Sequence, residues 1–394
     1  MAMNVSDSDF GKESATPAAS KPMAGDGSLV APTTERLVSL DTFRGLIMLW
    51  LAGGDEVMRS LHALGKNAVL NLLVYEFNHT PWQGLRFYDC IWPSFMLMVG
   101  ISIPFAVAKR SKTQSERQIM WHAVSRATVL FLLGSIRESV FLGHPYLIEL
   151  SSALQPIAIA YLVAFLLAKK SVRVQAAVAS LILVGYALLL AFVPAPGIPA
   201  GTYGHNHNLV NYVDVLLLRQ HWQVWPYAPD GWGTILSTIP TVSTTIFGLI
   251  IGELLMSSRS KSAKAKIIAV VGVSSVTLGW ILSPFIPVVM KMWTTSYGVM
   301  TAGWACLMFA FLLWFIDVRG YKKWTLPIVV IGMNAVFIYM FMSIIPVGKI
   351  VGVFTDPIAA KLGSFGELFS ALSVFLVAWL LLFWMYKRKI FIKA

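Results

Sequence analysis

The sequence predicts an all-α fold, a polytopic transmembrane helical bundle of about ten spans with N- and C-termini in the cytoplasm. Of its 394 residues, 57% are hydrophobic and only 13% are charged, whereas a soluble domain carries roughly 25% charged residues. The apolar residues are gathered into runs that approach the roughly 20 residues a helix needs to cross a bilayer. The basic residues stand between these runs, as orientation signals do.

Ten apolar segments account for the predicted spans. Charged residues interrupt or border the first and the third, so these two predictions are the weakest. The segments lie near residues 43–61, 87–108, 122–141, 152–168, 173–193, 233–256, 266–284, 297–316, 326–346 and 367–386.

Basic residues also predict the orientation. With the N-terminus inside, 23 of the 31 lysines and arginines fall on the cytoplasmic side and 8 on the outer side. Cytoplasmic loops carry such an excess. The basic residues that give the net charge of +12 are therefore distributed along the chain, between the spans. Because the basic residues do not cluster on one amphipathic face, a nucleic-acid partner is not expected.

The first 36 residues are rich in Ser, Ala, Lys, Asp and Pro. They lack the apolar core of a cleaved signal peptide, so we expect a disordered polar tail at residues 1–36. One transmembrane domain is expected at residues 37–394. The two cysteines, Cys90 and Cys306, are too few for a disulfide framework and are interpreted as small apolar residues.

The predicted outer side is chemically richer than the inner side. Six of the seven histidines fall there, together with the longest loop, at about residues 194–232. Loops of that length are usually functional or disordered, so we expect the function to open outward. His205, His207 and His221 superficially resemble metal ligands, but no carboxylate or thiolate completes the set. We therefore expect no metal.

The most informative stretch is Phe77-Asn78-His79-Thr80-Pro81-Trp82-Gln83-Gly84, which Asp89 follows. Imidazole is the usual general base in proteins because its ordinary pKa is about 6.5. A histidine held between Pro, Trp and Gly at the mouth of a bundle is a candidate base. The alternative is a histidine of the interfacial belt beside Trp82. Residue chemistry alone leaves both readings open.

Asp55 and Glu56 end the first apolar run. A carboxylate at membrane depth is costly, so it usually has a partner or a function. We predict that Asp55 orients the imidazole of His79, as the carboxylate of a catalytic triad does. The alternative is that both acids have already reached the interface.

Asp41 and Arg44 stand at the inner end of the first span, three residues apart. That spacing allows a local ion pair. The functional alternative is an arginine that holds a phosphate-bearing ligand from the cytoplasm. Further polar residues occupy positions where apolar ones are expected, which suggests either helix–helix hydrogen bonds or a polar cavity. They are Gln155, Ser237, Thr238, residues 291–296 and Asn334.

Several motifs, taken in order, resemble the heparan-alpha-glucosaminide N-acetyltransferase-like membrane acyltransferases. The resemblance covers nearly the whole chain after the tail, and the bacterial members of the family are the nearest in form. The motifs are residues 36–45 (RLVSLDTFRG), residues 79–84 (HTPWQG) with Asp89 and residues 93–95, residues 154–155, residues 230–231 with 236–240, residues 291–296 and residues 332–335.

The resemblance implies an acyl-CoA-dependent membrane N-acetyltransferase. Acetyl-CoA would be the cytoplasmic donor, and an amino sugar such as glucosamine, or a glycan, the outer acceptor. His79 matches the family's active-site histidine by motif, with Asp55 beside it. The candidate donor-binding residues are Arg44, Asp41, Ser237 and Asn334. The candidate acceptor-binding residues are Trp82, Asp89 and Trp293.

The expected location is the bacterial cytoplasmic membrane, with the lipid bilayer as a partner and a homodimer as one possible assembly. Two other functions stay open at this point. One is a transporter of a sugar or lipid-linked precursor that uses the same cavity. The other is an O-acetyltransferase of exported glycans.

Overall fold

The computed structural model describes residues 37–65, 67–143, 145, 150, 152–205, 207–222 and 235–392. The predicted tail at residues 1–36 lies outside the described residues, as do His144 and part of the long loop at about residues 194–232. Almost all described secondary structure is helical, which confirms the all-α prediction.

Fifteen α-helices and one short hairpin make up the described part of the chain. The helices are α1 (Val38–Leu49), α2 (Asp55–Arg59), α3 (Ala68–Glu76), α4 (Ile91–Arg110), α5 (Glu116–Leu142), α6 (Leu154–Leu167), α7 (Val172–Phe192), α8 (Leu209–Trp222), α9 (Ile235–Met256), α10 (Lys261–Leu282), α11 (Thr295–Leu312), α12 (Leu326–Met333), α13 (Ala335–Ile344), α14 (Val347–Ala359) and α15 (Gly366–Lys387). The hairpin pairs β1 (Tyr203–Gly204) with β2 (His207–Asn208).

Seven helices of the described chain are long and apolar enough to cross a membrane, or eight if one bent pair counts as a span. They confirm a multi-pass membrane protein, but not the predicted count of ten. Three predicted segments differ from a straight span. The segment 43–61 is interrupted, the segment 152–168 is the 14-residue helix α6, and the segment 326–346 is the bent pair α12–α13.

Serine caps begin three of the long helices. Ser115, Ser171 and Ser260 each accept a hydrogen bond from a backbone N–H in the first turn of α5, α7 and α10. Ser115 also forms a reciprocal capping box with Gln118. Each cap satisfies one of the N–H groups that the start of a helix leaves unpaired. These local signals explain why three helices begin directly after the basic loops.

Helices α4, α9 and α11 are largely buried, whereas α7, α10 and α15 are largely exposed. Glycines allow the central pair to approach at backbone distance. A Cβ on Gly100 would lie 2.0 Å from the Thr245 carbonyl oxygen, and one on Gly248 would lie 2.1 Å from that of Leu97. Close contact between small residues is how helices associate without a hydrophobic driving force in lipid. This α4–α9 contact fixes the middle of α4, the helix that follows the segment of the candidate histidine.

The first predicted span is broken by a π-helical turn, Trp50–Gly54, between α1 and α2. Gly53 adopts a φ of 108° there, a conformation that residues with a Cβ rarely take. A 3₁₀ turn, Ser60–Leu64, follows α2. The segment 43–61 is therefore a succession of short helical pieces and not one continuous helix.

The segment 326–346 bends by 73° at Asn334. Trp379 Nε1 of α15 donates to the Pro327 carbonyl oxygen, and Asn334 Nδ2 donates to that of Ile390, just beyond α15. Helix α12 thus runs beside α15 in the same direction before the chain bends into α13. The prediction of one straight span at 326–346, opposite in direction to the span at 367–386, is wrong for its first half.

Candidate active site

The candidate histidine lies on an irregular segment between α3 and α4. Three aromatic rings pack together at the start of this segment. The Phe77 ring centroid lies 4.6 Å from that of Trp50 and 5.1 Å from that of Phe87. At the end of α3, Asn78 Nδ2 donates to the Val74 carbonyl oxygen, which fixes the exit of the chain from the helix. The loop is therefore anchored immediately before His79.

Asp89 is the polar centre of the loop. Its carboxylate is fully buried and accepts hydrogen bonds from several donors. Thr80 Oγ1 donates to Oδ2 at 2.6 Å, and the Arg86 backbone N–H donates to the same oxygen at 3.0 Å. Hydrogen bonds of this kind offset the cost of burying a charge. Asp89 thereby ties both ends of the His79 loop together.

The remaining carboxylate oxygen of Asp89 contacts the candidate histidine. Asp89 Oδ1 lies 2.8 Å from His79 Nδ1. Because a buried carboxylate accepts, Nδ1 carries the proton, and Nε2 is the ring nitrogen with basic and nucleophilic character. The His79 side chain is 35% exposed. A histidine–aspartate pair with one face toward the outside has the arrangement of a general base or of a nucleophile.

Asp55, the predicted partner of His79, binds other groups. Its Oδ2 accepts from the Tyr88 hydroxyl at 2.8 Å and from Arg59 at 2.8 Å. The Tyr88 ring centroid lies 4.7 Å from that of His79. Asp55 therefore reaches the histidine through Tyr88, and the carboxylate that orients the imidazole is Asp89. Tyr88 and Thr80 are site residues that sequence reasoning did not select.

Two residues of the 291–297 region pack against the buried side of the site. The Tyr297 hydroxyl donates to the Asp89 carbonyl oxygen at 2.7 Å. The Trp293 ring packs edge-on against Tyr297 and against Trp92. Trp293 is 1% exposed and has a φ of 47°. In this structure Trp293 supports Tyr297, and its contact with the acceptor stays a prediction.

Trp82 joins the histidine loop to the β1–β2 hairpin. Its Nε1 donates to the Tyr203 carbonyl oxygen at 2.8 Å, and its ring packs edge-on against His205. This contact places the β1–β2 hairpin beside the site. No group of three His, Cys, Asp or Glu side chains that could hold a metal ion occurs among the described residues.

The predicted donor-binding residues Asp41 and Arg44 lie far from the histidine. Arg44 donates to Ser102 Oγ of α4 and forms an ion pair with Asp41 at 3.7 Å. Ser102 follows Asp89 by 13 residues, which is about 20 Å along a helix. The Arg44 region therefore lies beside the middle of α4, about 20 Å along the helix from the candidate histidine.

Ser237 and Asn334, the other predicted donor contacts, are both buried. Ser237 lies in the first turn of α9. The Asn334 side-chain amide binds the backbone of the C-terminal segment on both sides: Nδ2 donates to Ile390 O, and Oδ1 accepts from Ile392 N–H. The structure thus gives Asn334 a structural contact at the α12–α13 bend.

The fold and the loop define a class: an all-α, multi-pass membrane protein with a histidine–aspartate pair at one end of its central helix. No family model matches the chain. The chain is 25% identical to heparan-alpha-glucosaminide N-acetyltransferase of Homo sapiens over 83% of its own length. It is 24% identical to the same enzyme of Mus musculus over 78%.

These matches cover 56% of the human protein and 53% of the mouse protein, so the chain spans about half the length of the curated relatives it matches. The chain is a distant relative of these proteins. The relationship agrees with the resemblance that the sequence motifs indicated.

Proposed function

We propose that this protein is a membrane acyltransferase that moves an acetyl group from cytoplasmic acetyl-CoA to an amino-sugar acceptor on the outer side. One observation carries the proposal: His79 is paired with a buried aspartate at an exposed point of a loop in a chain related to N-acetyltransferases. Residues 37–394 would form the acyltransferase unit. The bacterial cytoplasmic membrane is the proposed location.

Two chemical routes use the same pair. In the direct route, His79 Nε2 takes a proton from the acceptor amine while the amine nitrogen attacks the thioester carbonyl. The C–S bond breaks, and CoA leaves as the thiolate. In the covalent route, Nε2 itself attacks the thioester and releases the thiolate, and the amine then attacks the acetyl-imidazole. Asp89 holds the ring and stabilises its charged form in both routes.

The donor would approach from the other end of α4. Arg44 and the basic residues of the predicted inner loops can attract the CoA phosphates. Its long, flexible arm would then bring the thioester across the roughly 20 Å between Ser102 and Asp89. This route explains why a cytoplasmic donor and an outer acceptor can meet in one bundle.

A transfer assay with labelled acetyl-CoA and glucosamine tests the proposal. We expect His79→Ala, purified in detergent, to lose at least about 100-fold in turnover, the scale of general acid–base catalysis. His62→Ala is the matched control: His62 is another outer histidine, and its ring contacts Glu367 at 3.5 Å. It is expected to retain the wild-type rate. Label on His79 itself would select the covalent route.

Transfer by His79→Ala at the wild-type rate would overturn the proposal. The rival is a transporter, which the broken helix pair at Asn334 favours, since many transporters place their sites at discontinuous helices. Substrate flux in proteoliposomes without CoA, together with no acetyl transfer, would establish the rival. Comparing amino with hydroxyl sugars as acceptors separates N- from O-acetylation.

A further inference from the structure

Helix α3 lies on the surface of the protein although it is apolar. Seven of its nine residues are hydrophobic, and none is buried. Val69, Leu72 and Tyr75 are 65%, 58% and 52% exposed. Their spacing of three places them on one face of the helix. A helix that lies in the membrane interface buries such an apolar face among the lipid chains. The surrounding lipid is therefore the partner that this face would contact.

This surface is continuous with the histidine loop. Helix α3 ends three residues before His79. The guanidinium of Arg86 stacks on Tyr75 of α3, 3.9 Å from the ring centroid. Its Nη1 donates to the His79 carbonyl oxygen at 3.0 Å. Arg86 thus connects the exposed helix face to the loop of the histidine.

Arg86 forms no ion pair with a carboxylate in the part of the chain that the structure describes. The carboxylates nearby accept from other groups. Glu76 Oε2 accepts from the Phe87 backbone N–H, and Asp89 binds His79, Thr80 and the Arg86 backbone N–H. A fixed guanidinium without an acidic partner is suited to a phosphate, because its fork matches phosphate oxygens.

We propose that the acceptor is an amino sugar linked to a membrane lipid through a phosphate. In this arrangement α3 lies among the lipid chains, Arg86 binds the phosphate, and the amine of the sugar reaches His79. The proposal rests on the proposed acetyl transfer and specifies its acceptor. It explains why an apolar helix leads directly into a polar reaction site.

The position of α3 can be measured without any assay of transfer. Cys90 and Cys306 are buried, so a single nitroxide label can be placed by Leu72→Cys in proteoliposomes. We expect the label to collide with oxygen more often than with a water-soluble nickel complex. Leu181→Cys, on the exposed face of α7, gives the lipid reference. Lys112→Cys, in an exposed loop, gives the water reference. A Leu72 label that behaves like the Lys112 label would overturn the proposal.

The acceptor class is tested with four glucosamine derivatives, with and without a 1-phosphate and with and without a long alkyl chain. We expect each addition to raise kcat/KM at least about tenfold for the wild type, as charge-assisted and hydrophobic contacts do. Arg86→Gln should abolish the gain from phosphate, and Arg86→Lys should restore part of it. A merely structural role would lower all four values alike. Val69→Gln with Leu72→Gln should abolish the gain from the alkyl chain, with Leu181→Gln as the control.

Equal kcat/KM for all four derivatives would refute the lipid-phosphate acceptor while leaving the acetyltransferase intact. Loss of all transfer, even to glucosamine, would instead refute the proposed function. The two failures are therefore distinguishable.

Discussion

At the scale of single residues, the buried carboxylate of Asp89 organises the site. An ionised carboxylate away from water is costly unless its oxygens accept hydrogen bonds. Here His79, Thr80 and Arg86 supply the donors, and Tyr297 holds the backbone of the same residue. Besides the imidazole, the carboxylate is thus bonded by Thr80 and by the Arg86 backbone, and Tyr297 fixes the main chain of Asp89. The position of His79 depends on all of these contacts.

Asp89→Asn should lower turnover strongly while the fold is kept. An amide at this position can present N–H toward Nδ1 and stabilise the wrong tautomer of His79, so Nε2 would no longer accept a proton. We expect a loss of about 10²–10⁴-fold in kcat. Acetyl transfer by the purified variant measures it.

Asp55→Asn is the comparison for that variant. Because Asp55 contacts Tyr88 and Arg59, its substitution should lower the rate less than Asp89→Asn does. The reverse order would mean that Asp55 is the catalytic partner, as the sequence predicts, and that the Asp89 contact is only structural.

The motif around His79 was predictable from the sequence, but its acidic partner was not. Asp55 and Asp89 are both acids near the predicted outer ends of apolar runs, and residue type does not separate them. The conformation of the loop determines which acid contacts the histidine. Hydrogen bonds from Thr80 and Arg86 hold Asp89, ten residues after His79, against the His79 ring. Trp293 was selected as an aromatic contact for the acceptor, and no motif records that its side chain is 1% exposed.

At the scale of helices, the glycine contact between α4 and α9 makes a direct prediction. Gly248→Ala places a methyl group 2.1 Å from the Leu97 carbonyl oxygen. The helices must then separate, and overpacking of this kind costs about 1–3 kcal/mol. We expect a lower midpoint of thermal unfolding in detergent.

Gly185→Ala in α7 is the matched control. A Cβ there meets no atom within 4 Å, and alanine favours a helix over glycine by about 1 kcal/mol. Its unfolding midpoint should stay equal or rise. An equal fall in both variants would show that the α4–α9 contact is not the cause.

Helices were the most predictable elements, and breaks within them the least. Mean hydropathy identifies long apolar runs, and seven predicted segments are long helices. Mean hydropathy does not detect a break in the helix within such a run. The π turn ending at Gly54 and the bend at Asn334 depend on single residues inside apolar runs. Hydropathy therefore predicted continuous spans at 43–61 and 326–346.

At the scale of the whole molecule, the unequal distribution of basic residues predicts which end faces the cytoplasm. An impermeant maleimide applied to intact cells tests this orientation, because both native cysteines are buried. Ala200→Cys, in the loop beside Trp82, should be labelled directly. Lys112→Cys should be labelled only after the membrane is permeabilised. The opposite pattern would place His79 on the cytoplasmic side.

The contact between Asn334 and the backbone of Ile390 and Ile392 also has a consequence for biosynthesis. Fifty-six residues separate Asn334 from Ile390 along the chain. At a translation rate of about 5–20 residues per second, the partner emerges roughly 3–11 seconds after Asn334. During that interval the Asn334 amide lacks both of these backbone partners. The contact at the α12–α13 bend therefore forms only after the last long helix has been made.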